Sequence, residues 1–208
     1  MRSNTIIKLL TERESTMTTT MTINDRLVEL GVLGDQKDKS IQRRGAVTVD
    51  LFFKEYEAGT FEPTDELTAK LLHYLTDIQV RDYALGLTTM YDTKRTLEAL
   101  NFLLDQAPTD TAFINAPACL LAALLYDRGD SASALVTLTN VSGYYSLGIL
   151  LNKVFIAGWP TGSFTAMTKE LHPKVTAGIF DGDYEKDDSD VYTIPQPGDP
   201  ADAGIDGV

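Results

Sequence analysis

The sequence predicts an all-α fold of antiparallel helical hairpins with disordered ends. Apolar residues recur at three- and four-residue spacing in segment after segment, strand-like alternation is scarce, and glycine or proline closes most of the runs. The densest patterning lies between Pro117 and Pro160, where the apolar runs hold no strong breaker and glycine-containing stops separate them.

The elements follow in chain order. Residues 1–22 are read as a disordered N-terminal extension, with Met17 and Met21 as alternative starts; TIIKLL is too short for a secretory signal and no small-residue cleavage site follows it. Thr22, Asn24 or Asp25 caps a short helix carrying Leu27, Leu30 and Leu33 that ends near Gly31 or Gly34. The stretch GDQKDKSIQRRG has the polar composition of a loop, with Arg43 and Arg44 as a local basic spot. Val49, Phe52, Phe53 and Tyr56 then mark a helix closed by Gly59. Thr64 or Asp65 caps the next, whose stripe is Leu67, Leu71, Leu72 and Leu75. A helix weakened by Gly86 carries Ile78, Val80, Tyr83, Leu85 and Leu87. Asp92 or Thr93 caps another with Leu97, Leu100, Leu104 and Ala107, stopped by Pro108.

Ala116 to Asp127 is apolar nearly all the way round, which places it at the centre of the fold. Gly129 ends it, and Asp130 or Ser131 caps a short helix with Ala134, Leu135 and Leu138 on one side. Leu147, Leu150, Leu151, Val154 and Phe155 form the stripe of the helix after that, stopped by Gly158 and Pro160. A last helix over TGSFTAMTKELH is broken by Pro173.

The two final hairpins resemble each other. Aligning Gly129 with Gly158 sets Ala134-Leu135 on Ala166-Met167, at spacings close to the roughly 34-residue period of tetratricopeptide repeats. The predicted architecture is therefore a degenerate tetratricopeptide-like array over residues 23–178. Residues 179–208 are assigned to a disordered acidic tail, because Asp181, Asp183, Glu185, Asp187, Asp188, Asp190, Asp199, Asp202 and Asp206 face a single Lys186.

Composition excludes several functions. With 43% hydrophobic and 23% charged residues in 208, one soluble domain is expected, and no apolar run approaches the roughly 18 residues of a membrane span. A net charge of −12 argues against direct nucleic-acid binding, which needs a basic face. The lone Cys119 rules out an intrachain disulfide and fits a reducing cytoplasm.

Catalytic motifs are missing too. His73 and His172 sit in no metal-ligand spacing, and neither GxSxG, SxxK, GxGxxG nor GxxxxGK[ST] occurs, so no metal and no cofactor are expected. Arg128-Gly129-Asp130 reads as helix stop and cap rather than an adhesion motif. Asn140-Val141-Ser142 matches a glycosylation sequon without a sign of secretion, and DGDYEKDDSD lacks the register of a calcium loop. The sharpest polar pair is Arg81-Asp82, read either as a ligand or catalytic site or as an ion pair that fixes helix docking. Tyr144, Tyr145, Phe155 and Trp159 are candidates for a peptide groove or for core.

At these positions the chain resembles a known family. Arg81-Asp82, Pro108, Ala116-Pro117, Leu120-Leu121-Ala122, Gly129-Asp130, Ala132, Ala134-Leu135, Tyr145-Ser146-Leu147, Leu150-Leu151 and Gly158-Trp159-Pro160 are similar to the C-terminal part of the actinobacterial domain-of-unknown-function family 4192, over residues 78–165. Members are usually longer, with a large N-terminal half, and the family's acidic-Pro turn before the tyrosine is replaced by Val141-Ser142-Gly143. Short versions resemble those of actinobacterial phages, and the family implies no activity.

The leading expectation is a cytoplasmic helical protein that binds another protein and is not an enzyme; the resemblance implies a phage-encoded chain acting on a host factor. Two alternatives stand beside it. One is a regulator or inhibitor laying the acidic tail on a basic nucleic-acid-binding protein, and the other an enzyme using Asp82 or another buried carboxylate in an inter-helix pocket.

Overall fold

A computed structural model describes residues 21–181, which fold into nine α-helices and one short 3-10 turn with no strand among them. The helices are α1 (Ile23–Leu30), α2 (Lys39–Ala58), α3 (Asp65–Tyr74), α4 (Ile78–Leu87), α5 (Thr93–Gln106), α6 (Asn115–Asp127), α7 (Ser131–Leu138), α8 (Ser146–Ile156) and α9 (Ser163–Phe180). None is long and apolar enough to cross a membrane. Asp183, Glu185, Asp187, Asp188 and Asp190, and the extension before Met21, lie outside the described residues.

Local chemistry sets most helix starts. Thr22 and Asp25 form a reciprocal capping box, with Asp25 N–H donating to Thr22 Oγ1 at 3.3 Å and Thr22 N–H to Asp25 Oδ2 at 3.1 Å. Thr64, Asp92 and Asp130 accept from the backbone three residues on, at 3.1, 3.0 and 3.0 Å. Gly59 and Gly129 end their helices at positive φ, a conformation that favours glycine.

Helix α6 is the hub. Nearly all of it is buried, as its all-round apolarity predicts, and it packs against α4, α5, α7, α8 and α9. Ala116, Ala118, Ala122 and Ala123 let those neighbours approach closely. A second centre forms where Phe52, Tyr56, Phe61 and Phe102 meet edge to face, with Phe52 and Phe61 centroids 4.9 Å apart. The remaining packing skips along the chain: α1 lies on α3, α2 on α4, and α9 returns to α4 and α2.

Three expectations are corrected. The loop assigned to residues 34–45 is helical from Lys39, with Asp38 accepting from Ser40 N–H at 2.8 Å; its polar side chains mostly face water, while Gly45 and Gln42 turn inward. At Gly45 a methyl would stand 2.8 Å from Val80 Cγ2, so the glycine permits a close helix crossing. Helix α9 does not break at Pro173 but runs on to Phe180, with Ile179 fully buried, two residues into the stretch assigned to the tail. Leu150, assigned to the core stripe of α8, is half exposed, whereas Leu151, Val154 and Phe155 are buried.

Contacts at both ends explain why α9 survives its proline. Its own N-cap is Gly162, which offers no side chain, and Asp127 at the end of α6 supplies the missing acceptor. Asp127 accepts from the N–H groups of Phe164 at 3.0 Å and Thr165 at 2.9 Å, and from the Thr165 hydroxyl. At the far end Arg43 donates to the carbonyls of Ile179 at 3.0 Å and Phe180 at 3.3 Å, and Lys39 donates to that of Gly178. A carboxylate at the positive end and cations at the negative end complement the helix dipole.

Replacing Asp127 by alanine is expected to lower stability by about 1–2 kcal/mol in urea unfolding, with Asp127→Asn losing less because its amide oxygen still accepts. A change within a few tenths of a kcal/mol for Asp127→Ala would show that the acid is not what holds α9.

Candidate functional site

The return of α9 leaves a groove of about 300 Å³ between α4, α8 and α9. Its walls are apolar, formed largely by Leu85, Leu147, Leu150, Met167, Leu171 and Val175, and its polar lining includes Arg81, Asp82 and His172. Leu150 and Leu171 are partly exposed on its rim.

Arg81 and Asp82 are held in unequal ways. The Arg81 side chain keeps 8% of its surface and that of Asp82 keeps 36%. Arg81 donates from Nε at 2.8 Å and Nη2 at 2.7 Å to the same oxygen, Oδ1 of Asp82, and from Nη1 to the Tyr145 hydroxyl at 3.2 Å. The pair thus joins α4 to the residue that starts α8, as a docking ion pair would. Burial holds the Tyr145 phenol above its usual range, against the pull of Arg81. Asp82 is not a buried carboxylate; among the described residues the fully buried one is Asp77, which caps α4 by accepting from Val80 N–H at 2.9 Å and ties in Gln36 N–H at 3.1 Å.

The candidate aromatics do not form one surface. Tyr145 contacts Arg81, but Tyr144 is 91% exposed on the turn before α8. Phe155 stacks on Tyr126 with centroids 4.2 Å apart, and Trp159 lies outside the groove, its carbonyl accepting from the Tyr126 hydroxyl at 2.7 Å. Asp181 is exposed where the described chain ends. Cys119 is buried, its thiol pushed up to about 12 by desolvation, which suits a core residue and not a nucleophile. Among the described residues no three His, Cys, Asp or Glu side chains gather as a metal site would require.

His172 directly precedes Pro173, where the sequence pattern ends the helix, yet it lies inside α9 and packs on Tyr83 at 5.0 Å and on Gly86. Its Nδ1 is buried with no partner among the described residues. Desolvation lowers its pKa, with Asp50 of α2 opposing. Gly86 is the residue whose lack of a side chain admits the ring: a methyl there would stand 1.9 Å from Nδ1 and 2.8 Å from Cβ of His172.

A second surface lies on α7 and α8. Leu135, Val136, Ile149 and Ile156 are exposed there, Val136 by 68% and Ile156 by 74%, together with Tyr144 on the connecting turn. Lys153 is the one charged residue between Asp130 and Lys169. That run without charge is the signal by which sequence alone could have found this face.

Comparison with known proteins adds one match. A family model described as domain of unknown function (DUF4192) matches residues 8–160, reaching further toward the N-terminus than the resemblance over 78–165, and leaving α9 outside. No curated protein and no solved structure matches the chain.

Two outcomes follow for His172. Gly86→Ala is expected to cost about 1–3 kcal/mol from overpacking, offset by up to about 1 kcal/mol of helix propensity, and His172→Ala in the same chain should remove most of the overpacking cost. Additive effects in that double-mutant cycle would refute the contact. The second outcome concerns pH. A histidine with a lowered folded pKa contributes its stability above the unfolded value near 6.5 and loses it as pH falls below that. Urea midpoints should therefore drop from pH 7.5 to 5.5, and drop less in His172→Gln; equal slopes would contradict the burial effect.

Proposed function

We propose that this chain, which belongs to the domain-of-unknown-function family DUF4192, is a helical protein–protein interaction protein that binds its partner through the face of α7 and α8. One observation carries the reading: Leu135, Val136, Ile149 and Ile156 stand exposed on two helices that touch each other, and Lys153 is the one charge on those helices, in a chain of net charge −12. Monomeric proteins rarely leave such patches uncovered, and interface cores are depleted in charge. The α6–α7 and α8–α9 hairpins, each ending its first helix at a left-handed glycine, are read as degenerate tetratricopeptide-like pairs that present this face.

In this reading the protein has no catalytic step and works in the cytoplasm, which suits the lone buried Cys119 thiol. A phage source and a host target rest on the family resemblance.

The test is to place a photo-crosslinking residue at Val136 in living cells and to compare the chain with a Val136→Lys, Ile156→Lys double variant. Both are exposed positions, so folding should change by no more than about 0.5 kcal/mol per site, while affinity for the crosslinked protein should fall at least about tenfold. Unchanged affinity in the folded variant would sink the reading.

A further inference from the structure

We propose that the groove between α4, α8 and α9 docks a short segment of a partner protein in which a Lys or Arg stands beside an apolar anchor, the cation pairing with Oδ2 of Asp82. The inference rests on reading the chain as a protein-binding one, but it uses a surface apart from the α7–α8 face.

The sign of the recognised charge follows from which member of the ion pair is accessible. Arg81 is nearly covered, and its bonds go to Asp82 Oδ1 and the Tyr145 hydroxyl. Asp82 is the open member, and its Oδ2 accepts from no group among the described residues. A ligand entering the groove therefore meets a carboxylate at its polar end and Leu147, Leu150, Met167 and Leu171 along its walls. An acidic ligand would meet the more open Asp82 carboxylate beside the 8% of the Arg81 side chain that is exposed.

Size and charge narrow the occupant further. About 300 Å³ is the small end of ligand pockets, enough for one or two side chains rather than a large cofactor. The chain's own residues after Asp181 follow α9 in sequence, but their net charge has the same sign as Asp82, which disfavours them as occupant. A basic segment also gains from the net charge of −12 during approach.

The experiment selects displayed random twelve-residue peptides on the full-length chain and measures the enriched ones by fluorescence anisotropy. Enriched sequences are expected to carry Lys or Arg within four residues of Leu, Ile, Phe or Met. Replacing that cation by norleucine should weaken binding about tenfold on the natural chain and leave it nearly unchanged on Asp82→Asn, a coupling that a merely misfolded variant does not produce. Leu150→Lys should abolish binding. Enrichment of acidic or uncharged peptides, an equal norleucine effect on both chains, or no enrichment would each overturn the proposal. So would binding that appears only after residues 182–208 are removed, which would assign the groove to the chain itself. Peptides lost on Val136→Lys and Ile156→Lys but kept on Leu150→Lys would leave the protein-binding reading in place and remove this one.

Discussion

The placement of α9 depends on charge brought to its ends by other helices. Its interior contains Pro173, which removes a backbone donor and crowds the preceding turn, and only Phe164, Thr168 and Ile179 are buried along it. A helix so weakly buried and interrupted gains little from its own propensity. Asp127 satisfies two orphan N–H groups at its start, and Lys39 and Arg43 satisfy carbonyls at its end. Each contact contributes on the order of 1 kcal/mol, which together is comparable to the roughly 3 kcal/mol cost of an interior proline. That clamp adds to the packing of His172 and Phe180 on Tyr83, which lays α9 over α4 and gives the groove one wall.

Local features of this arrangement were legible in the sequence. Thr22, Thr64, Asp92 and Asp130 cap helices because the bond they accept lies three residues away, and Gly59 and Gly129 stop helices for an equally local reason. The position of α6 was legible as well, since a helix apolar on every side has nowhere to go but inward. What sequence could not show was decided at long range. Lys39 to Gly45 reads as loop because its helix turns mostly small or polar groups inward, and Pro173 reads as a stop because the residues that hold α9 together are far away in the chain.

The candidate site divides along the same line. Arg81 and Asp82 stand out in sequence because a charged pair interrupts an apolar helix, but nothing there says which of the two faces water. That is fixed by Tyr145, brought from the start of α8 to bond Arg81 and bury it. Tyr144 and Tyr145 are alike in sequence as candidates for a peptide groove or for core, yet the two neighbours point different ways, and one reaches the core side while the other is left in solvent. The Gly86 contact with His172 had only half a signal: a glycine where a helix disfavours it marks a close approach without naming what approaches.

Helices α7 and α8 separate hydrophobicity from burial. Both are as apolar as core helices, yet α7 buries only Ala134 and Thr137, and α8 only Gly148, Leu151, Val154 and Phe155. Folding of this chain alone gives little reason for Val136 or Ile156, because most of each side chain stays in water. The acidic residues fall outside 131–168 in the sequence, and charges act over about one Debye length, roughly 8 Å at physiological salt, so they influence how fast a partner arrives more than how long it stays. Residence is set by surface that leaves water on binding. The α7–α8 face lies inside the residues matched by the family model, whereas the groove needs α9, which lies outside them. The two surfaces therefore depend on different parts of the chain, and a relative lacking a counterpart of α9 would keep the face and lose the groove.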